Sequence, residues 1–335
     1  MPDRPRLTPA IADIRRAVRE SLPPEGLVLV ALSGGPDSLA LAAATAFEAA
    51  GRVGAVIVDH GLQDASAATA EGAAGQARAL GLDPVRVVRV EVGTDGGPEA
   101  AARSARYAAL DAAAAELGAA AVLLGHTLDD QAETVLLGLA RGSGATSLQG
   151  MAPQTGLYAR PLLGIRRSTT VQACADAGLE PWHDPQNDDP QFTRVRVRRT
   201  VLPMLEAELG PGVADALART AEQLREDAEA LDHMADEVAE ELVELEEAGV
   251  SLSVAALAAN PAALRQRLIR LVAESEFHIA LSRTQTLAVA RLVTDWHGQK
   301  AVDLPGFTAQ RRGNRIHLIS SQAGELTGVK PPHDH

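Results

Sequence analysis

The chain has 335 residues, of which 46% are hydrophobic and 22% charged, enough for about two domains of roughly 150 residues each with their own cores. Its single cysteine, Cys174, excludes a disulfide framework, a thiolate zinc site and a paired-thiol redox centre, and favours a reducing, cytoplasmic setting. A net charge of −13 argues against a general nucleic-acid binder, but twelve acidic residues fall between Ala221 and Glu247 with a single arginine, and the rest is near neutral.

Met1–Thr8 lacks the apolar core of a signal peptide, and no apolar run reaches the ~18 residues of a membrane span, so no membrane partner is expected. Over the first 150 residues, apolar runs at Leu27–Leu32, Val53–Val58, Val85–Val90 and Val122–Leu124 read as strands. They alternate with helical stretches at about 38–50, 64–80, 98–117 and 129–140. This βαβα order predicts an α/β fold, a doubly wound, mostly parallel sheet. Arg86 and Arg89 place the third strand nearer an edge. From Tyr158 to about Pro203 the chain reads as loop-rich, and Pro181–Pro190 as irregular.

A long helix is expected from Val213 to Glu247. Leu217, Leu224, Leu231, Val238 and Leu245 recur every seven residues, with Ala221, Ala228, Ala235 and Leu242 four after the first four. The seam suits a connector packed on its own chain, or a homodimer. Beyond it, Asn260-Pro261 reads as a helix start, a second helix runs from Ser282 to before Gly298, and Val302–Ile319 reads as a hairpin. The expected division is a catalytic α/β domain over 1–210, a connector helix over 211–248, a small α+β domain over 249–325 and a disordered tail over 326–335.

Four segments carry chemistry. Ser33-Gly34-Gly35-Pro36-Asp37-Ser38 follows a buried strand and opens a helix, where glycines and a helix N-terminus suit phosphate. It lacks the Gly-Lys-Ser/Thr of a Walker A loop. Val58-Asp59-His60-Gly61-Leu62-Gln63 follows the second strand, on the side where open α/β sheets bind ligands. Gly125 to Thr134 brings His126, Asp130 and Glu133 together. The two carboxylates share a helix face and suit Mg²⁺ or an ammonium group; the plainer reading is a capping box from Thr127 to Asp130. Arg141-Gly142-Ser143-Gly144 is a helix stop or a second anion site.

SGGPDS resembles the loop of the N-type ATP pyrophosphatases, which split ATP into AMP and pyrophosphate. VDHGLQ at 58–63, ARSARYAAL at 102–110, GHTLDDQAET at 125–134, RGSG with SLQGM at 141–151, RPLL at 160–163 and DPQNDD at 184–189 narrow the resemblance to the tRNA(Ile)-lysidine synthetase family. So does the arginine run ending in Val201-Leu202-Pro203. The match covers roughly 25–205, and more weakly the family's small substrate-binding domain at 250–320.

The resemblance implies ATP-dependent ligation of free L-lysine to C2 of the wobble cytidine of tRNA(Ile) with a CAU anticodon, through an adenylated cytidine. It implies that Ser33 to Ser38 hold the ATP phosphates, with Asp37 organising Mg²⁺, and that Val58, Asp59, Arg106, Gly125, Arg141 and Gly142 also serve ATP. His60, His126, Asp130 and Glu133 surround the reaction centre, the two carboxylates taking lysine, Mg²⁺ or both. Arg103, Tyr107, Arg160, Arg194, Arg198 and Arg199 face tRNA. Val195 and His183 depart from the family's usual Asn and Glu. A tRNA 2-thiolation enzyme of the same fold commonly needs paired cysteines, which this chain lacks, and a non-catalytic nucleotide sensor has no need of the carboxylates at 130 and 133.

Overall fold

Continuous apolar strands need cover on both faces, and they have it. In the computed structural model, which describes residues 7–61, 66–93, 97–142 and 144–321, β1 (Leu27–Ala31), β2 (Val53–Asp59), β3 (Val85–Arg89) and β4 (Ala119–Leu123) are parallel. The short β5 (Gln154–Thr155) and β6 (Tyr158–Ala159) complete a sheet of order β3-β2-β1-β4-β6-β5. The expectations placed on Leu62, Gln63, Ser143 and the tail lie outside the described residues.

The helices of this part are α1 (Pro9–Ser21), α2 (Pro36–Glu48), α3 (Ser66–Ala79), α4 (Pro98–Leu117), α5 (Leu128–Ala140), the single turn α6 (Ala145–Leu148) and α7 (Arg167–Asp176). Val28 and Val30 belong to a core shared with Ile14 and Val18 of α1, Leu39 and Leu41 of α2 and Cys174 of α7. Leu29, Val56 and Val122 belong to a second core with Leu110, Ala113 and Ala114 of α4. The two cores are the two faces of one sheet, as period-two side-chain alternation requires. β3 is an edge strand, with Arg86 and Arg89 exposed, as expected. From β1 the chain goes first to one neighbour, β2, and later returns on the other side as β4. That reversal of strand order opens a crevice at the carboxyl ends of β1 and β4.

The stretch from Tyr158 to Pro203 holds more helix than its composition suggests. Besides α7 it contains α8 (Thr193–Arg196), a π-helical turn over Val197–Val201 and the start of α9 (Leu202–Leu209). Val195 and Val197 alternate at period two and hide the helix. Packing decides it, because Val197 and Leu202 join a core with Leu128 and Ala132 of α5. Pro181–Pro190 is irregular apart from a 3₁₀ turn at Pro185–Asp188.

The chain divides into two units, residues 1–225 and 226–335. The long helix α10 runs Val213–Leu242, ending five residues earlier than its heptads suggest. Ala221, Ala228, Ala235 and Leu242 are 0%, 6%, 2% and 4% exposed, and Ala235 and Leu242 join the second unit's core. Leu245, counted into the heptads, is 80% exposed on β7 (Val243–Glu246). The Val-Glu-Leu-Glu alternation there is a strand pattern that the heptad register had absorbed.

β7 pairs with β8 (Gly249–Ser253), followed by α11 (Val254–Ala259), α12 (Ala262–Phe277) and α13 (Arg283–Thr294). The expected hairpin is three strands, β9 (Val302–Leu304), β10 (Phe307–Arg312) and β11 (Arg315–Ser320), in an antiparallel sheet of order β7-β8-β11-β10-β9. Ser282 caps α13 in a capping box with Gln285, as its sequence suggests. Asn260 does not cap α12. Its amide donates back to the Ala256 carbonyl at 2.8 Å, closing α11, and Pro261 holds the cap position. Among the described residues, no helix is long and apolar enough to cross a membrane.

Candidate active site

The loop from Ser33 to Ser38 is closed by its own hydroxyls. The Ser38 hydroxyl accepts from the Ser33 N–H at 3.1 Å and donates to the Gly35 carbonyl at 3.1 Å, with the Ser33 hydroxyl 3.1 Å away. Gly34 sits at φ +83°, a left-handed backbone that favours glycine. Pro36 opens α2, and no side chain caps its first turn, which leaves N–H groups to an anion. β4 ends close behind this loop. A Cβ on Gly125 would stand 3.1 Å from both Cα and N of Ser38 and 3.2 Å from the Asp37 carbonyl carbon. Gly125→Ala is therefore expected to displace the loop and raise the KM for ATP about tenfold, ~1.4 kcal/mol, in an ATP titration of the initial rate.

A cavity of about 570 Å³ opens here. Ala31, Leu32, Val56, Val58, Leu110 and Leu124 give it an apolar wall, while Asp37, Asp130, Arg167, Arg198 and Arg199 give it a charged one. A flat apolar niche next to a phosphate loop is the chemistry a purine nucleotide requires.

The charged wall is a network of carboxylates and arginines. Thr127 caps α5. Its N–H and hydroxyl both donate to one Asp130 oxygen, at 2.8 and 2.9 Å. The other Asp130 oxygen accepts from Arg167 at 2.6 Å and from Arg198 at 3.2 Å. Arg167 also donates to Asp37 at 3.1 Å and to Glu133 at 3.4 Å, and its backbone N–H is held by Asp129 at 2.7 Å. Glu133 is fully buried, and Arg198 grips both its oxygens, at 2.6 and 3.0 Å. Burial alone would raise the Asp130 carboxyl, but Arg167, the Thr127 N–H and Arg198 outweigh it and hold it below the usual range. At Asp37 burial wins over Arg167 and the Thr170 hydroxyl, and its carboxyl is raised. The cation that holds these acids together, Arg167, lies just beyond the RPLL segment and carries no periodic signal. The signal that could have found it is the acids themselves, since three carboxylates in one site require neutralising partners.

His126 lines the cavity with a buried Nδ1 that has no hydrogen-bond partner. Burial, against the pull of Asp130, lowers its pKa to about 4, so it is neutral at pH 7. On α4, the Arg103 guanidinium lies 5.0 Å from the Tyr107 ring centre, and both line the cavity.

Several expected residues stand apart. His60 meets Arg106 at 3.3 to 3.4 Å but does not line the cavity, and Asp59 holds the turn through the Gly61 N–H at 2.9 Å. Arg141 and Gly142 are exposed at the end of α5, outside the cavity. Arg160 is 9% exposed and donates to the Ala152 carbonyl and the Thr155 hydroxyl, which ties the β5–β6 turn. Arg194 reaches Thr134 at 3.2 Å, behind Glu133. Glu133 fits poorly as a metal ligand because it is fully buried, does not line the cavity and has both oxygens gripped by Arg198. Trp182 was not foreseen from the sequence. It lines the cavity and its N–H donates to the Gly34 carbonyl at 2.9 Å, fastening the irregular segment to the phosphate loop.

Known proteins carry the same two parts in the same order. A PP-loop domain model matches residues 9–205, and a TilS substrate binding domain model matches 252–317. A tRNA(Ile)-lysidine synthase of Leifsonia xyli subsp. xyli is 65% identical over 299 residues, 88% of this chain and 90% of that protein. The chain belongs to the tRNA(Ile)-lysidine synthase family. A second tRNA(Ile)-lysidine synthase, from Thermobifida fusca, is 55% identical over 93% of this chain and 98% of its own length. Membership makes the chain a ligase, and the PP-loop domain makes ATP its energy source. Among solved structures, the U34-tRNA thiolase NcsA from Methanococcus maripaludis shares the fold. Its TM-score is 0.55 at 20% identity, over 65% of this chain and 80% of that one.

Proposed function

We propose that this ligase joins free L-lysine to C2 of the wobble cytidine of tRNA(Ile) with a CAU anticodon, in the cytoplasm. The cytidine C2 oxygen attacks the ATP α-phosphorus and pyrophosphate leaves. The lysine side-chain ammonium then gives up a proton to solvent, its free amine attacks C2, AMP leaves with the oxygen, and a second proton is lost from the new C–N bond's nitrogen. The observation that carries this reading is the anion-binding loop set directly beside Asp130 and Arg167 in one cavity.

The loop N–H groups and the Ser33 and Ser38 hydroxyls hold phosphates. The apolar wall takes the adenine, and Arg198 and Arg199 meet the phosphates of the anticodon loop. Asp130 faces the lysine ammonium, sharing its charge with Arg167. A neutral His126 adds no positive charge beside that ammonium. Mg²⁺ supplies charge neutralisation on the phosphates. Asp37 and Asp130, which line the cavity, would hold it, together with substrate oxygens, by giving up their bonds to Arg167.

The thiolation reading has little support. The Methanococcus maripaludis thiolase carries a [4Fe-4S] cluster, whereas the one cysteine here is buried against the Pro36 carbonyl and its thiol is raised to about 11, chiefly by burial. The test is AMP release from ATP with lysine and an unmodified tRNA(Ile) bearing CAU. Release is expected only with both. Release that needs neither, or that proceeds equally with the CAU-bearing elongator methionine tRNA, contradicts the proposal.

A further inference from the structure

A guanidinium stacked on an aromatic ring presents its second face as a platform for another planar group, and nucleobases are such groups. Arg103 and Tyr107 are four residues apart on α4 and so share a face. Arg103 also donates to the Tyr107 hydroxyl at 3.4 Å. Left to themselves, an exposed arginine and a half-buried tyrosine sample several rotamers, and ordering them costs conformational entropy. Here the pair is braced. The Tyr158 ring meets Tyr107 edge-on, with centroids 4.9 Å apart and planes at 70°. Tyr158 sits on β6, in register with Val122 of β4, and its backbone is fixed by the sheet. Its hydroxyl donates to Asp111 at 2.6 Å, one further turn along the same face of α4. Arg103, Tyr107 and Asp111 thus form an i, i+4, i+8 row on one helix, clamped to the sheet by one tyrosine.

We propose that Asp111 and Tyr158 are positioning residues that hold the Arg103–Tyr107 pair as a stacking platform for a nucleobase entering the cavity. Neither lines the cavity. The stacked base has two sources, the adenine of ATP and a base of the tRNA. Both share the planar π-face that the platform reads. Burial and the Asp111 carboxylate raise the Tyr158 hydroxyl above its ordinary value, so it stays a donor throughout the neutral and mildly alkaline range. The brace is therefore insensitive to pH there.

The inference rests on the proposed reaction for its ligand classes, so the test reads binding as well as turnover. Affinities for ATP and, separately, for an anticodon stem-loop RNA are measured by titration calorimetry, with kcat and KM from AMP release. Arg103→Ala is expected to weaken one of the two ligands about tenfold or more. Asp111→Ala weakens the same ligand by a smaller factor, with kcat unchanged. Asp111→Asn, whose amide oxygen still accepts from Tyr158, restores most of the loss. The double variant Arg103→Ala/Asp111→Ala is no weaker than Arg103→Ala alone, because the brace acts only through the arginine. Additive losses in the double variant, equal losses in Asp111→Ala and Asp111→Asn, or unchanged affinity for both ligands in Arg103→Ala would overturn the proposal. A wild-type chain that binds ATP and RNA but forms no lysine adduct would refute the proposed reaction and leave the affinity pattern to judge the platform.

Discussion

Asp130→Asn is expected to lower lysine-dependent AMP release at least about 100-fold, the effect of losing one partner of a largely buried charge pair. The carboxylate is held by the Thr127 cap on one oxygen and by Arg167 and Arg198 on the other. An amide serves one side only. If its oxygen keeps the cap, its NH₂ faces the Arg167 and Arg198 N–H groups that the lost carboxylate oxygen had accepted, donor against donor. The fold survives, because Leu128 and Ala132 still pack α5 against Val197 and Leu202. ATP binding near the wild-type level and a cooperative melt would show that the loss lies in catalysis. Asp130 is held ionised well below neutral pH, so the wild-type pH–rate profile should show no limb from this group above pH 6. Near-wild-type turnover in the variant would remove Asp130 from the mechanism.

Arg167→Met carries the largest expected loss of stability. Its side chain is 22% exposed and bridges Asp37, Asp130 and Glu133, whose side chains are 20%, 10% and 0% exposed. Removing the cation leaves carboxylates facing one another with only Arg198 and Arg194 nearby. Breaking a buried ion pair from one side costs about 3–5 kcal/mol. The pH dependence has a definite sign. In the wild type, the depressed Asp130 adds stability above its unfolded pKa that is lost as pH falls through its lower folded value. Without Arg167, the cause that lowers both Asp37 and Asp130 is gone, and their folded pKa values rise. A carboxyl with a raised pKa destabilises the fold increasingly as pH climbs past its unfolded value. The deficit in Tm relative to wild type should therefore be larger at pH 8 than at pH 5. A deficit that is the same at both, or that grows on acidification, would show that Arg167 acts by packing rather than by charge.

The parallel sheet was legible because its strands are short apolar runs separated by helical periods, and Arg86 and Arg89 marked the edge strand. The carboxylates and the phosphate loop were legible because each has a strand end and a helix start beside it. The arginine run was not, because α8 and the turn after it are held by contacts of Val197 and Leu202 with α5, which no local pattern encodes. β7 was hidden by the heptad register, where Leu245, the third residue of Val-Glu-Leu-Glu, satisfies a helix count and a strand alternation alike. Glu133 was read as a free ligand since its spacing from Asp130 is right for one. Only the structure shows that Arg198 takes both its oxygens. The same feature could not be inferred from Arg198 itself, which lies 65 residues further along the chain.

The most direct test of the central claim is the identity of the product. Unmodified tRNA(Ile) with a CAU anticodon is incubated with the protein, ATP, Mg²⁺ and isotopically labelled lysine, then digested to nucleosides and resolved by mass spectrometry. The account predicts loss of one cytidine per tRNA and appearance of a nucleoside that carries the label at the wobble position. An unchanged wobble cytidine in the presence of folded, ATP-binding protein, or label attached to any other nucleoside, would contradict it.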